Sequence, residues 1–530
     1  MKEIKELKFE ELTTKQKLGI IHTPLLCSYT TDEVANYVCD RVRERAIGCV
    51  WIQWSDNPAD RPRIESFMSM VREAADYPII IITDAENGLC DYQVGKHNAI
   101  GCTGSEKHAY AFGKTVGVTL RKLGYNMVCN PVLDIKTNGW TRSYGSDKYQ
   151  IAKLAGAEAR GLHDAGILTL GKHYPSAKYN KEVDTHMAEA RSDQTEEELL
   201  DYSLYAYVEL IRQNLLDGLM PGHEKMLKID PTAPTSLSKP VLDVIRRQGF
   251  DGIFMTDALC MMGIRARYGR VESQGLAIAA GNDIPLVYDH DPAFNQQALY
   301  DCYERGIFSD EDLDRAVKNI LAAQHKVFKN MSVDTEITEE EHTLSKNINY
   351  DGISAVVDDG VELALDRNGK YFFALMVRNE SVMGEDKLAV DTFTNGWHYP
   401  AKITAKIKEL FPNSHVEHYF EYPVQGQHGR IFSRSLDYEK VIFLTHTECL
   451  AYMGKEHLTR RVECLIEAMQ DTNRICALIH FGNITVLENL PHIPRVILGG
   501  VSYDSTMGCL EVLAGLREPK GVLTFDLKLK

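Results

Sequence analysis

GFDGIFMTDALCMMGI, residues 249–264, decides how this chain is read. A turn-prone start gives way to an apolar run, Ile253 to Met255, that reads as a buried strand, and Thr256 and Asp257 stand at its carboxyl end. Ala258, Leu259 and Met261 then suit the opening of a helix. Asp257 therefore has two readings. It can cap that helix, or it can be a functional group, since a carboxylate buried there with neither bond nor partner costs several kcal/mol.

The same grammar recurs along the first 330 residues. Short apolar runs end at IIHTPLL (20–26), GCVWIQW (48–54), PIIIITD (78–84), YNMVCNP (125–131), ILTLGKH (167–173), GLMPGH (218–223), GIFMTD (252–257) and DIPLVYD (283–289). Longer amphipathic stretches separate them, the pattern of parallel strands buried on both faces. A doubly wound sheet and a (β/α)8 barrel both produce this alternation. The strand ends favour the barrel: Asp84, Asp134, Lys172 with His173, His223, Asp257 and Asp289 follow the runs. A closed barrel places its chemistry at the carboxyl ends of many strands, an open sheet only at its switch point. The expected architecture is an α/β chain: a TIM-like (β/α)8 barrel over 1–330, a polar acidic linker over 331–350, and a second α/β sandwich domain of about five strands over 351–530.

Composition bounds the partners. With a formal net charge of −16 and no basic run, nucleic acid is not an expected partner. MKEIKELKFEEL lacks the apolar core of a signal peptide, and no segment is apolar and long enough for a membrane helix. The twelve cysteines are scattered, which reads as free thiols in a reducing compartment and a cytoplasmic protein.

Residues 171–190, GKHYPSAKYNKEVDTHMAEA, crowd Lys172, His173, Asp184 and His186 onto one strand end and loop. In an extended loop, residues two apart point the same way, so Asp184 can orient His186 and support its protonated form as a general acid. The bland alternative is a loop hydrogen bond without chemistry. Lys172, His173 and Arg142 (in GWTRSYGSD) supply the mixed polar groups that suit a polyhydroxylated ligand. No metal is expected: H-E-x-x-H and paired strand-end histidines are absent. Phosphate-cradling glycine loops are absent too, so no cofactor is expected.

In order, these segments resemble glycoside hydrolase family three, in its β-N-acetylglucosaminidase branch. ITDAENG (82–88 region), PVLDI (131–135), RSYGSD (142–147), TDALCM (256–261) and AGNDIPLV (280–287) follow the family's motifs. DEDLDRAVKNILAAQHKVF resembles the helix that closes its barrel. FGNITVLENL and VSYDSTMGCLEVLAGLREPKGVLTFDL resemble the end of its second domain. KHYPSAKYNKEVDTH resembles the branch's K-H-F-P-G-H-G…D-S-H. The resemblance implies Asp257 as nucleophile, His186 as acid/base and Asp184 as its orienting partner. It implies Asp84, Arg142, Lys172 and His173 around the sugar hydroxyls, with His223 beside them. It implies a small carbohydrate substrate, a terminal β-linked N-acetylglucosamine hydrolysed with retention and no cofactor; the expected cytoplasmic placement points to an imported cell-wall fragment or chito-oligosaccharide as its source rather than intact polymer.

Three departures stand out. Ser176, Ala177 and Lys178 replace G-H-G, the gap from His173 to Asp184 is one residue longer, and Ala190 stands where a proline usually closes the motif. A phosphorylase of the same fold, a β-glucosidase, and a catalytically silent sugar-binding protein are the alternatives at this point.

Overall fold

The computed structural model describes residues 3–135, 141–179, 183–333, 335–377, 400–447, 457–525 and 527. Among them, the first part of the chain carries strands β1 (Leu25–Leu26), β2 (Cys49–Ile52), β3 (Ile80–Thr83), β4 (Met127–Val128), β5 (Leu168–Tyr174), β6 (Arg191–Ser192), β7 (Gly218–Pro221), β8 (Lys225–Met226) and β9 (Ile253–Phe254). Seven of these form one sheet in the order β1-β2-β3-β4-β5-β7-β9. Every pairing in it is parallel. An eighth position follows β9, where Met255 bridges Ile284 in parallel and the Thr256 N–H donates to the Ile284 carbonyl (3.0 Å). β6 and β8 pair as a separate ribbon.

Alternation within the strands shows the barrel's inside and outside. One buried cluster takes Leu25, Trp51, Ile80, Met127, Leu168, Met220, Ile253 and Ile284, one side chain from each of eight successive segments. Their neighbours Val50, Ile81, Val128, Leu219 and Phe254 belong to a second cluster, packed beneath the helices. Both faces are therefore dry, which explains why these strands are apolar throughout.

The helices begin where capping residues stand. Ser105 accepts the His108 N–H before Glu106–Leu123, and Asp147 accepts the Tyr149 N–H before Lys148–Asp164. Ser309 and Asp312 cap each other reciprocally before Asp310–Asn330. That last helix buries Leu313, Ala316, Val317, Ile320, Ala323 and Val327, a stripe at helical spacing that closes the barrel wall. Among the described residues, no helix is long and apolar enough to cross a membrane.

The second part contains β10 (Ser354–Val357), β11 (Tyr371–Val377), β12 (His415–Phe420), β13 (Lys440–His446), β14 (Ile475–Phe481) and β15 (Arg495–Gly499). They form one sheet in the order β10-β15-β14-β13-β11-β12. Only β10 runs antiparallel. Separate buried clusters cover its two faces, so this unit is an α/β sandwich. The extra strand relative to the expected five is β10, a short, half-buried edge strand of four residues.

Residues 331–350, expected to be a polar connection, contain much of a helix, Glu339–Asp351, begun by a Thr338–Glu341 capping box. Its buried face consists of Ser345, Ile348 and Asn349. The Ser345 and Thr115 hydroxyls meet at 2.9 Å, and Asn349 Oδ1 accepts the Gly95 N–H at 3.1 Å. A mostly polar buried face leaves almost no periodic apolar trace in sequence. The chain's end also returns to the barrel. The Val522 N–H donates to the Cys102 carbonyl (2.8 Å) and the Ser146 N–H to the Thr524 carbonyl (3.0 Å). Gly145, at φ 148°, permits that approach: a Cβ there would sit 2.6 Å from the Thr524 oxygen.

Candidate active site

The polar residues gather at the carboxyl ends of the barrel strands, as barrel chemistry requires. Asp84 follows β3, and Lys172 lies near the carboxyl end of β5 with its Nζ 2.6 Å from Asp84 Oδ1 and 3.3 Å from Glu86 Oε2. Arg142 binds Glu86 through two parallel hydrogen bonds, Nε to Oε1 and NH2 to Oε2, both 2.8 Å. Lys172 and Glu86 are buried while the Asp84 side chain remains 42 % exposed. Burial alone would raise the Glu86 carboxyl, but Arg142 and Lys172 hold it well below the usual range. Burial likewise lowers Lys172, and Asp84 with Glu86 overcomes it and holds the ammonium charged. The result is a fixed set of two cations and two anions with Asp84 facing the opening.

His173 adds a second pair, its Nδ1 2.7 Å from Asp134 Oδ2. Adjacent strand residues normally face opposite sides, yet Lys172 and His173 both reach polar partners at the rim. The ladder explains it: Lys172 pairs with Met220 and Tyr174 with Pro221, leaving His173 outside the register. Such irregularities re-aim side chains next to active sites.

Asp257 sits where β9 ends, its N–H donating to the Pro221 carbonyl (2.9 Å) and its Oδ1 accepting the Ala258 N–H (2.7 Å). The next helix begins only at Met262, with Met261 as its cap residue, so Asp257 caps no helix. Burial would raise this carboxyl. The nearby His173, His223 and His186, with the Ala258 N–H, outweigh it and leave the group below its ordinary value. It is an anion held ready among imidazoles.

His186 Nδ1 lies 2.7 Å from Asp184 Oδ1, which also accepts the His186 backbone N–H at 2.9 Å. Asp184 thus fixes one ring nitrogen and leaves Nε2 for a ligand. The loop is tied down on its far side. The Met262 N–H donates to the His186 carbonyl (3.2 Å), the Gly263 N–H to the Thr185 carbonyl (2.9 Å) and the Lys225 N–H to the Ala190 carbonyl (2.9 Å). Gly263 leaves room for this: a Cβ there would meet the Thr185 oxygen at 3.0 Å. Ala190, in place of the motif's proline, is buried where the β6–β8 ribbon begins. Ser176 holds φ 57°, the left-handed conformation glycine serves. Its hydroxyl accepts the Ile135 N–H at 2.7 Å.

Asp84, Lys172, Arg142, His173, Asp257, Asp184 and His186 are thus brought to one end of the barrel. His223 differs from the others. It is fully buried, with Nδ1 2.8 Å from Ser236 Oγ and Nε2 3.0 Å from the Ala258 carbonyl, so both ring nitrogens are engaged by protein. Burial lowers its pKa. It supports the backbone beside Asp257 rather than facing a ligand.

Two residues, Glu86 and Tyr179, escaped sequence reasoning, and the role of a third was only half read. Glu86 stands two residues beyond Asp84 in the same quoted motif, and that i+2 spacing was its only signal. Asp134 was visible as a strand end, but not its partnership with His173. Tyr179, from the altered loop, lies close to Glu224, Asp134, Asp184 and Asp257. Burial first, then these four carboxylates, push its phenol far up, so it is a neutral donor at working pH.

A strand-end crescent of fixed cations and carboxylates, with an ionised aspartate and an aspartate-supported histidine, defines a (β/α)8-barrel glycoside hydrolase. The family profile Glycosyl hydrolase family 3 N terminal domain matches residues 13–323, and the chain belongs to that family. It is 30 % identical over 252 residues to a beta-hexosaminidase of Haemophilus influenzae, covering 44 % of this chain and 71 % of that one. Among solved structures it is similar to a glycoside hydrolase family 3 beta-N-acetylglucosaminidase from Paenibacillus sp. str. FPU-7. The TM-score is 0.79 at 23 % identity, covering 98 % of this chain and 100 % of that one. A beta-glucoside phosphorylase bound to 2FGlc aligns at TM-score 0.81 and 20 % identity, covering 98 % and 95 %.

Proposed function

We propose that this enzyme is an exo-acting, retaining β-N-acetylglucosaminidase. The observation that carries the reading is the pairing of an ionised strand-end carboxylate, Asp257, with a histidine donor oriented by Asp184. The beta-hexosaminidase relatives point to the same sugar.

In the first step the Asp257 carboxylate forms a bond to the anomeric carbon as the glycosidic C–O bond breaks. The proton on His186 Nε2 passes to the departing oxygen. In the second step water attacks the anomeric carbon, its proton returns to Nε2, and Asp257 leaves as carboxylate. Asp184 stabilises the imidazolium through Nδ1. Asp84 and Lys172 face the sugar hydroxyls, with Glu86 and Arg142 fixing Lys172 and the rim beside it, and His173 set by Asp134.

The chain acts in the cytoplasm on small imported glycosides, such as those released in peptidoglycan recycling, with no metal or cofactor. The second unit holds neither the nucleophile nor the proton donor. A histidine donor does not repel an incoming dianion, which favours a second reading, with phosphate in the place of water. A panel of nitrophenyl glycosides with and without phosphate tests both. N-acetylglucosaminide turnover to the free sugar is expected, whereas sugar phosphate as the dominant product would establish the second reading. A fluoro-sugar trap followed by peptide mapping should label Asp257, and labelling of another carboxylate would sink the assignment.

A further inference from the structure

Behind the rim lies a carboxylate that the mechanism does not use. Glu158, on the helix Lys148–Asp164, is fully buried, as are His97, Asn130 and Tyr144 around it. The Asn130 amide donates to Glu158 Oε1 at 2.8 Å, the Tyr144 hydroxyl donates to Oε2, and His97 Nε2 stands 3.7 Å from Oε2. Keeping a carboxylate this far from water is costly, so where its three contacts lead decides what it does.

Each contact leads to a different member of the ion network at the rim. His97 Nδ1–H donates to the Glu86 carbonyl (2.9 Å), and its ring meets that of Tyr144 edge to face at 4.4 Å. Tyr144 follows Arg142 by two residues. Between and before them, the Ser143 hydroxyl donates to the Asp134 carbonyl (2.6 Å) and the Asn98 N–H to the Thr141 carbonyl (2.9 Å). Asn130 precedes Pro131, whose carbonyl accepts the Lys172 N–H (3.2 Å). Glu158 itself is placed by close packing of its helix on Glu106–Leu123: a Cβ on Gly113 would lie 2.1 Å from the Glu158 carbonyl oxygen. One buried anion therefore joins the segments that carry Glu86, Arg142 and Lys172. Resting on the hydrolase reading above, we infer that Glu158 is a positioning residue for the sugar-binding rim, aligning Glu86, Arg142 and Lys172 through His97, Tyr144 and Asn130.

Steady-state kinetics of the full-length enzyme on a nitrophenyl β-N-acetylglucosaminide, counted per molecule that the fluoro-sugar labels, test this. Glu158→Leu fills the space but accepts from neither Asn130 nor Tyr144. Losing one hydrogen bond's worth of alignment should lower kcat/KM about tenfold. In an Arg142→Gln background the same change should cost no more than about threefold further, because one of the aligned groups is already gone. Asp217→Asn is the control. It alters a buried carboxylate bound to His163, Lys326 and the Thr169 N–H at the amino end of β7, and kcat/KM should stay within about twofold. Where Glu158→Leu does not fold, Tyr144→Phe, which removes only the hydroxyl that reaches Glu158, should show a similar loss and the same coupling to Arg142. An unchanged kcat/KM, an undiminished loss in the Arg142→Gln background, or an equal loss in Asp217→Asn would overturn the inference while leaving the hydrolase reading intact. If the wild-type enzyme turned over no glycoside and the fluoro-sugar failed to label Asp257, the hydrolase reading itself would fall, and the inference with it.

Discussion

Glu86→Gln is the substitution that most directly probes the ion network. Glu86 takes two hydrogen bonds from Arg142 at 2.8 Å and lies 3.3 Å from the Lys172 ammonium. Glutamine keeps the shape but removes the charge, so Arg142 loses its bidentate partner and Lys172 retains only Asp84. Removing one member of a buried ion pair costs about 3–5 kcal/mol, because the remaining charge is left unbalanced. Asp84 still compensates Lys172 at 2.6 Å, so the loss should lie near 3 kcal/mol, at the low end of that range. Displacing Lys172 or Arg142 by about 1 Å should lower kcat/KM about 10²-fold. Denaturant unfolding and steady-state kinetics on the same preparations measure both effects. The pH dependence gives an internal check. A carboxyl depressed in the folded state stabilises above its unfolded value of 4.5 and loses that contribution as pH falls through its folded value. The stability gap between wild type and variant should therefore narrow below pH 4.5. A gap under about 1 kcal/mol at neutral pH, or one that widens in acid, would refute the claim that Glu86 holds the two cations in place.

Replacing His186 by Ala should cripple glycosides with poor leaving groups, by about 10²–10⁴-fold, while activated aryl glycosides lose far less in the first step. Equal losses in both classes, with no rescue by azide, would make the dyad structural. His480 is buried between Thr445 Oγ1 and the Asn483 carbonyl, and burial lowers its pKa to about 4. The unfolded chain binds that proton first, so stability is complete above pH 6.5 and is lost towards pH 4. Wild type should lose about 3 kcal/mol relative to His480→Asn over that interval, and a constant difference in unfolding midpoint would contradict it. Gly145→Ala would force a Cβ against the Thr524 carbonyl, shifting the returning tail and the Arg142 loop. KM for the sugar should rise several-fold, and an unchanged KM with lowered stability would confine the tail to a structural role.

The barrel was legible because its physics is written in single residues. Dry strands on both faces must be apolar throughout, and the polar group ending each run marks the rim, as at Asp84, Lys172 and Asp257. Asp184 and His186 were legible as a pair two residues apart, although the structure brings them together through a turn, with the Met187 and Ala188 N–H groups on the Asp184 carbonyl, rather than along an extended chain. What stayed hidden depended on partners distant in sequence. Glu86 matters through Arg142, 56 residues away, and Asp134 through His173, 39 residues away. The helix Glu339–Asp351 was read as a connection because its buried face carries one apolar side chain, Ile348, beside the hydrogen-bonded Ser345 and Asn349, too little for an apolar period. Ser176 stands where the family motif has glycine. The structure keeps the left-handed conformation and uses the new hydroxyl to hold the Ile135 N–H.

On the proposed mechanism, a histidine donor in place of a second carboxylate suits the charges around Asp257. That end of the barrel already holds Asp84, Glu86, Asp134 and Asp184, and a carboxylic acid donor placed among them would compete for protons with the nucleophile. Lys172 and Arg142 neutralise one part of this charge, and His173 is committed to Asp134. His186 resolves the remainder. Its protonated form lowers the Asp257 carboxyl, as do His173 and His223, while Asp184 keeps the ring oriented from the far side. On the proposed mechanism, the donor thus favours the ionised form of the nucleophile. Once the proton is given, that cation is gone, and the bond between Asp257 and the sugar has removed the anion it faced. In the proposed mechanism charge is thus balanced locally at both stages, beside a loop tied by backbone hydrogen bonds at Thr185, His186 and Ala190.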